Sequence, residues 1–247
     1  MSSRAKALIV AAVVIVVVIS GGLWWYLQDD APAAVSLDAA VDQVDNGAAT
    51  DTTATDPSAA GSAIDGTWTI DTQTGDFNFE TATGTFAGFR VDEELARIGA
   101  ATAVGRTGDV TGDFTIDGTT VTEASFEVDL TTITTNESRR DGRVQDALET
   151  SRFPTATFTL TEPLDLGDGA AVGDSVSVTA VGDLTIHGQT HSVEFPLEAQ
   201  LVDDTVVLVG SLDLTFSDYG VEAPTSPIAL SVDDHGVLEL QFLLTPT

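Results

Sequence analysis

The stretch Val176-Ser177-Val178-Thr179-Ala180-Val181-Gly182-Asp183-Leu184-Thr185-Ile186-His187-Gly188-Gln189-Thr190-His191-Ser192-Val193-Glu194-Phe195-Pro196-Leu197 decides the fold class. Val176 and Val178 lead through Ala180 to Leu184 and Ile186 at one parity, and Val193, Phe195 and Leu197 resume the pattern after a break. A period of two sends alternate side chains to opposite faces of an extended chain, so each half is a strand with one apolar and one wet face. His187-Gly188-Gln189-Thr190 between the halves reads as a hairpin turn.

The same alternation recurs on both sides of this stretch. Upstream it runs through Phe126, Val128 and Leu130, then Phe158 and Leu160. Downstream it returns at Val206 and Leu208, at Leu212, Leu214 and Phe216, and at Leu238, Leu240, Phe242 and Leu244. Asp117-Gly118 and Asp234-His235-Gly236 read as further hairpin turns, and Asp203-Asp204 as a polar turn. Helical spacing shows only over Asp141–Glu149. Roughly eight antiparallel strands over residues 63–247 predict an all-β domain, a closed barrel or a sandwich. Closure is the physical answer to two exposed sheet edges. A barrel of that size is filled by its own side chains or holds one small ligand, and alternation alone does not separate the two.

Composition bounds the rest. The 247 residues include 39 acidic and nine basic side chains, three His and no Cys, for a net charge of −30. So negative a chain is unsuited to nucleic acid, whose phosphates need cations. The absence of Cys excludes disulfides, thiolate metal sites and Cys nucleophiles. Residues 7–27 carry no charge and centre on Val13-Val14-Ile15-Val16-Val17-Val18-Ile19. As a helix they span ~31 Å, close to the hydrocarbon thickness of a bilayer. Arg4 and Lys6 precede this run, and Asp29 and Asp30 follow it. The positive-inside rule then predicts a single-pass anchor in the cell membrane, with residues 1–6 cytoplasmic and the remainder extracytoplasmic. Trp24, Trp25 and Tyr26 suit the outer interface. The rival reading is a cleaved signal peptide, whose apolar core is shorter and closely followed by small residues. Residues 28–62, with seven Asp, no base and no aromatic, read as a flexible acidic linker.

Ordered marks along the domain carry a resemblance. It opens with Trp68-Thr69-Ile70-Asp71 and continues with Ser138-Arg139-Arg140-Asp141 and Arg152-Phe153-Pro154-Thr155-Ala156-Thr157-Phe158. Gly182-Asp183-Leu184-Thr185-Ile186-His187-Gly188-Gln189-Thr190 and Phe216-Ser217-Asp218-Tyr219-Gly220 complete the series. In order and spacing, over residues 64–245, these marks resemble the YceI-like family of lipocalin-like β-barrels. The resemblance implies an extended eight-stranded antiparallel barrel around an apolar tunnel that holds an isoprenoid or another amphiphilic lipid. Many family members carry a His-Ser pair early in the first long strand. The corresponding Thr72–Glu80 contains no His, so no role of those histidines transfers.

On this reading the cavity wall comprises Phe126, Val128, Leu130, Phe158, Leu160, Val178, Leu184, Ile186, Phe195, Leu197, Leu212, Leu214, Phe216, Leu240 and Phe242. Arg139, Arg140 and Arg143 form a basic cluster suited to an anionic head group, because guanidinium forks match phosphate geometry. Arg152 belongs to the same cluster; the bland reading pairs these Arg with Asp141, Asp146 and Glu149 on a short helix, and is the favoured one, while a third has Arg140-Asp141 fixing the loop that closes one barrel end. The stretch Val91–Thr107 reads as a surface insertion, with a lid or rim as the alternative. His187 and His191 straddle a tight turn with no third His nearby, so neither a metal site nor a cofactor is expected. No nucleophile elbow is present, so catalysis is not expected. The expected function is a membrane-anchored binding protein for an amphiphilic, isoprenoid-like lipid. The alternative is a surface interaction or stress-protective module in which the barrel is only a scaffold. The oligomeric state stays open, a dimer being compatible with the sequence.

Overall fold

A computed structural model describes residues 31–48, 64–73, 75–96, 99–223 and 229–247. The transmembrane helix expected over residues 7–27 and the cytoplasmic stretch 1–6 lie outside them. Among the described residues no helix is long and apolar enough to cross a membrane.

Among the described residues twelve strands form one antiparallel sheet. They are β1 (Gly66–Asp71), β2 (Phe86–Leu95), β3 (Gly99–Thr107), β4 (Val110–Asp117), β5 (Thr120–Asp129), β6 (Thr134–Thr135), β7 (Thr155–Leu160), β8 (Leu164–Asp165), β9 (Val176–Ile186), β10 (Gln189–Val202), β11 (Thr205–Thr215) and β12 (Ala229–Pro246). Eight of them close a barrel in the order β1-β4-β5-β7-β9-β10-β11-β12, with β12 returning to β1 through Ile70↔Leu244 and Trp68↔Pro246. The earlier part of β12 pairs instead with β2, β2 with β3, and β3 with β6. The wall therefore extends beyond β1 toward one end of the barrel. That end, which carries the tip of the β2–β3 hairpin and the start of β12, is the mouth. At the opposite end Trp68 and Ile64 are buried, and the Trp68 indole N–H donates to the Ile64 carbonyl at 2.8 Å.

The β9–β10 hairpin forms where alternation places it. His187 (φ 52°) and Gly188 (φ 73°) both take the positive φ that a two-residue turn matched to strand twist requires. Gly118 (φ 63°) and Asp203 (φ 51°) sit in the β4–β5 and β10–β11 turns. Elsewhere the structure departs from expectation. Asp234-His235-Gly236 is a bulge inside β12, not a hairpin. There β12 runs unbroken along β11 (His235↔Thr215, Gly236↔Leu214), while its register with β2 slips between Val232 and Gly236. Val91–Thr107 is not an insertion, because its residues continue β2 and supply β3, two strands of the wall. The helix expected over Asp141–Glu149 forms as α2 (Ser138–Ala147) and lies at the mouth.

The stretch expected to be a flexible linker is also partly folded. Residues 37–48 form a helix, α1 (Leu37–Ala48), packed on the outside of the barrel. Its apolar residues Leu37, Ala40, Val41 and Val44 recur at helical spacing, and Ser36 Oγ accepts the Ala39 N–H at 3.4 Å. They meet Val202, Val207, Val209 and Leu243, which point out of the barrel and are buried. Burial of this apolar stripe offsets the ordering entropy that the composition alone leaves unopposed.

Ahead of α1, Pro32 and Ala33 lie along β2 and β3. Arg90 donates to the Pro32 carbonyl and Arg106 to the Ala33 carbonyl, each at 2.7 Å. Arg106 is fully buried and pairs with buried Glu239 of β12, its Nε and Nη2 lying 2.8 and 2.6 Å from Oε1. Its Nη1 donates to the Phe79 carbonyl at 3.1 Å, and its guanidinium covers the Phe86 ring at 4.7 Å.

Candidate functional site

The inward faces of the strands border two adjoining spaces. Deep in the barrel is a chamber of about 90 Å³, lined by apolar side chains of β2, β5, β9, β10, β11 and β12. Above it the mouth holds about 570 Å³ between the extended wall, α2 and the residues after β11. Phe89, Leu148, Phe216 and Val221 line both spaces and stand between them. The Phe89 and Phe216 rings meet edge to face at 6.4 Å. Gly105 on β3 makes this possible, because a Cβ there would collide with the Phe89 ring.

The chamber is small because aromatic side chains fill the barrel beneath it. Phe126 stacks on Phe158 at 5.4 Å and meets Phe242 edge to face at 5.1 Å, and Phe158 meets Phe195 at 6.1 Å. A cavity of ~150 Å³ admits one benzene, so about 90 Å³ accommodates only a tip of hydrocarbon with these rings in place. The mouth is several times larger and mixes apolar with charged groups.

Nine of the fifteen expected wall residues line the chamber: Phe126, Val128, Leu130, Leu184, Ile186, Phe195, Leu214, Phe216 and Leu240. Phe158 and Phe242 are buried in the same core below it. Leu160, Leu197 and Leu212 pack against that core without touching the chamber. Val178 lies toward the closed end of β9 and borders a shallow groove with Val35, outside both spaces. Its parity is right, but its level along the barrel is wrong.

The basic cluster stands at the mouth, where Arg139, Arg140 and Arg143 all contribute to the lining. Arg140 takes neither the head-group role nor a partner on its own helix; with Asp141 it ties down the Thr135-Asn136 loop, in line with the third reading. Its guanidinium crosses from α2 to the Glu93 carboxylate on β2 and donates to Asn136 Oδ1 at 2.6 Å. Asp141 instead accepts from the Thr135 N–H and hydroxyl at 2.8 and 2.7 Å, which fixes the start of α2 against β6. Glu149 faces Arg152 at 3.5 Å on the surface. Arg139 and Arg143 are exposed at the rim.

Ala87, Phe89, Ile133, Leu148, Tyr219 and Val221 are chamber residues that alternation did not single out. Phe89 shares its parity with Ala87 and Val91, a signal blurred by Phe86 on the other face. Leu148 follows Val144 by one helical turn, an apolar stripe hidden within a segment conspicuous for its charges. Tyr219 is buried beneath the β9–β10 turn, with its carbonyl 3.2 Å from His187 Nδ1 and its ring 4.7 Å from His191. Burial, aided by the neighbouring Asp218 carboxylate, raises its phenol pKa above the ordinary value. His191 Nε2 lies 3.1 Å from the Asp218 carbonyl. Among the described residues no group of His, Asp and Glu is arranged to hold a metal.

Solved structures share this architecture. A polyisoprenoid-binding domain from Saccharophagus degradans, implicated in plant cell wall breakdown, superposes with a TM-score of 0.54 at 20% identity, covering 73% of this chain and 98% of that one. BcnA from Burkholderia cenocepacia superposes with a TM-score of 0.50 at 16% identity, covering 64% and 96%. At these identities the likeness is one of fold. No curated protein matches the chain in sequence. The family model of the YceI-like domain matches residues 68–244, so the chain belongs to the YceI-like family.

Proposed function

We propose that this protein binds an amphiphilic lipid, isoprenoid-like in its tail, with the head group at the mouth and the chain directed into the barrel. The observation that carries this reading is that the two spaces adjoin, with Phe89, Leu148, Phe216 and Val221 in the wall of both. A mouth bearing Arg139 and Arg143 lies against a chamber lined almost wholly by hydrocarbon, with Phe89 and Phe216 between them. Apolar walls give non-directional affinity for a chain, and guanidinium groups suit an anionic head. The fold shared with a polyisoprenoid-binding domain supports the same reading. Residues 7–27 serve as a single-pass anchor with the N-terminus cytoplasmic and the barrel extracytoplasmic. The role is one of binding rather than catalysis.

The test is solvent extraction of the purified chain from residue 31 onward, followed by mass spectrometry. A stoichiometric amphiphile with a branched or linear hydrocarbon tail is expected. Its absence, together with failure of added isoprenoid phosphate to protect the barrel against unfolding, refutes the reading. The small chamber lends support to a second reading, a scaffold barrel acting as a surface interaction or stress-protective module. That reading predicts no extractable lipid and a protein partner cross-linked at the rim.

A further inference from the structure

We propose that the segment preceding α1 turns the mouth of the barrel toward the bilayer, so that the rim formed by Leu95, Leu230, Arg139 and Arg143 rests on phospholipid head groups. This inference builds on the anchored lipid-binder reading and adds an orientation to it.

The contacts of residues 32–40 follow one direction along the barrel. Pro32 is held by Arg90, whose register partner on β12 is Val237, and Ala33 by Arg106 at the level of Glu239. Val35 lies beside Val209 and Gly210, at the level of Gln241 and Leu240. Leu37 and Ala40 then reach Val207 and Leu243 near the closed end. The chain therefore enters at the mouth side and runs toward the closed end.

The reach is short. Leu27, the last residue of the apolar run, precedes Pro32 by five positions, at most ~17 Å of chain. From Arg90 to Leu95 at the end of β2 is also five positions, ~17 Å of strand. A membrane surface at Leu27 thus comes level with the end of the β2–β3 hairpin, not a linker's length away from it.

The chemistry of the rim agrees independently. Leu230 is the one large apolar side chain left exposed among the described residues, at 65%, and it lies at the start of β12 next to the Ala229↔Leu95 pair. Arg139 and Arg143 are exposed cations at the same mouth, which also carries Glu137 and Asp233, in a chain whose net charge is −30. An apolar side chain and two Arg at one end of the barrel suit the interfacial zone of a phospholipid layer.

The absence of Cys makes the test clean. The full chain carrying Leu230→Cys at the mouth or Asp204→Cys at the opposite end is labelled with bimane. It is then reconstituted into phosphatidylcholine–phosphatidylglycerol vesicles containing nitroxide phosphatidylcholine. Quenching is expected at position 230 and not at 204. A Gly/Ser insert of about a dozen residues between Asp30 and Ala31, spanning ~20 Å, should abolish quenching at 230. Equal quenching at the two positions, none at 230, or no effect of the insert overturns the orientation. Flotation of the vesicles reads the anchor separately, and solvent extraction of the same sample reads the bound lipid. Protein that does not float refutes the anchor and the orientation with it. Protein that floats with bound lipid but an unquenched rim refutes the orientation alone.

Discussion

Substituting Arg106 with Met tests the outer layer of the fold directly. Both members of the Arg106–Glu239 pair are buried, with side-chain exposures of 0% and 1%. Among the described residues Glu239 Oε2 has no hydrogen-bond partner, and the next cation, Arg90, is 4.0 Å away. Arg106→Met therefore leaves a carboxylate in a dry site and also releases the Phe79 and Ala33 carbonyls. Breaking a buried pair by removing one partner costs about 3–5 kcal/mol, against a total stability of ~5–15 kcal/mol for a domain. With a urea m-value of ~2 kcal/mol/M, the midpoint should fall by ~1.5–2.5 M. Arg106→Met combined with Glu239→Leu should regain most of that loss, because two apolar groups leave no charge behind. The coupling is read from a double-mutant cycle in urea, monitored by Trp68 fluorescence in the chain from residue 31. A single variant that loses less than ~1 kcal/mol, or a double variant as unstable as the sum of its singles, refutes the argument.

Three further outcomes follow from the site and its supports. Arg139→Ala with Arg143→Ala should weaken binding of an isoprenoid phosphate by about 1–2 kcal/mol, with little effect on the corresponding alcohol, as measured by calorimetry; an equal loss for both ligands contradicts a head-group role. Tyr219 is the only phenol beyond residue 31, and its pKa is raised in the folded state. Its contribution to stability is therefore complete below the unfolded value of ~10 and is lost as pH rises through the folded value. Tyr219→Phe should flatten this alkaline decline in urea titrations, and an unchanged decline counts against it. Leu37→Asp should cost at least ~2 kcal/mol and release α1, exposing Asp42 and Asp45 to an acid-specific protease at rates the parent chain does not show.

The barrel was legible because its signal is local. Val176 to Leu197 carries two strands and their turn within one window, and nothing outside it is needed to read the period. The outer layer is written differently. Arg106 and Glu239 are 133 positions apart, and Glu239 sits at the wet parity between Leu238 and Leu240. A carboxylate at that parity looks solvated unless something covers the strand, and the cover comes from residues 31–48 at the other end of the chain. The sequence does hold a trace of this. Val206-Val207-Leu208-Val209 and Phe242-Leu243-Leu244 break the alternation with apolar residues at both parities, as strands buried on both faces do. The spacing of Leu37, Ala40, Val41 and Val44 is the matching half of the signal, masked by the acidic composition around it. The mouth was legible for its Arg cluster, but the partner of Arg140 was not. Glu93 belongs to β2, whose later residues have the look of an insertion in the sequence.

The two volumes place a limit on how binding can grow with ligand length. A tail in the mouth removes apolar surface from water at ~0.8 kcal/mol per buried CH₂, roughly a fourfold gain in affinity for each. Beyond Phe89 and Phe216 the space falls to about 90 Å³, and each further unit must displace rings that already bury one another well. The gain from burying the tail is then offset by prising Phe126, Phe158 and Phe242 apart. Affinity across a series of isoprenoid phosphates should therefore rise steeply and then flatten once the mouth is filled. Phe126→Ala removes the ring at the centre of this cluster, at a stability cost of about 3–5 kcal/mol. In return the steep region should extend to longer tails. The measurement is a calorimetric series in parent and variant, with folding checked by urea titration. A parent chain whose affinity keeps climbing through the longest tails shows that the rings move aside without penalty. A Phe126→Ala variant that folds yet flattens at the same length shows that another group sets the depth of the pocket.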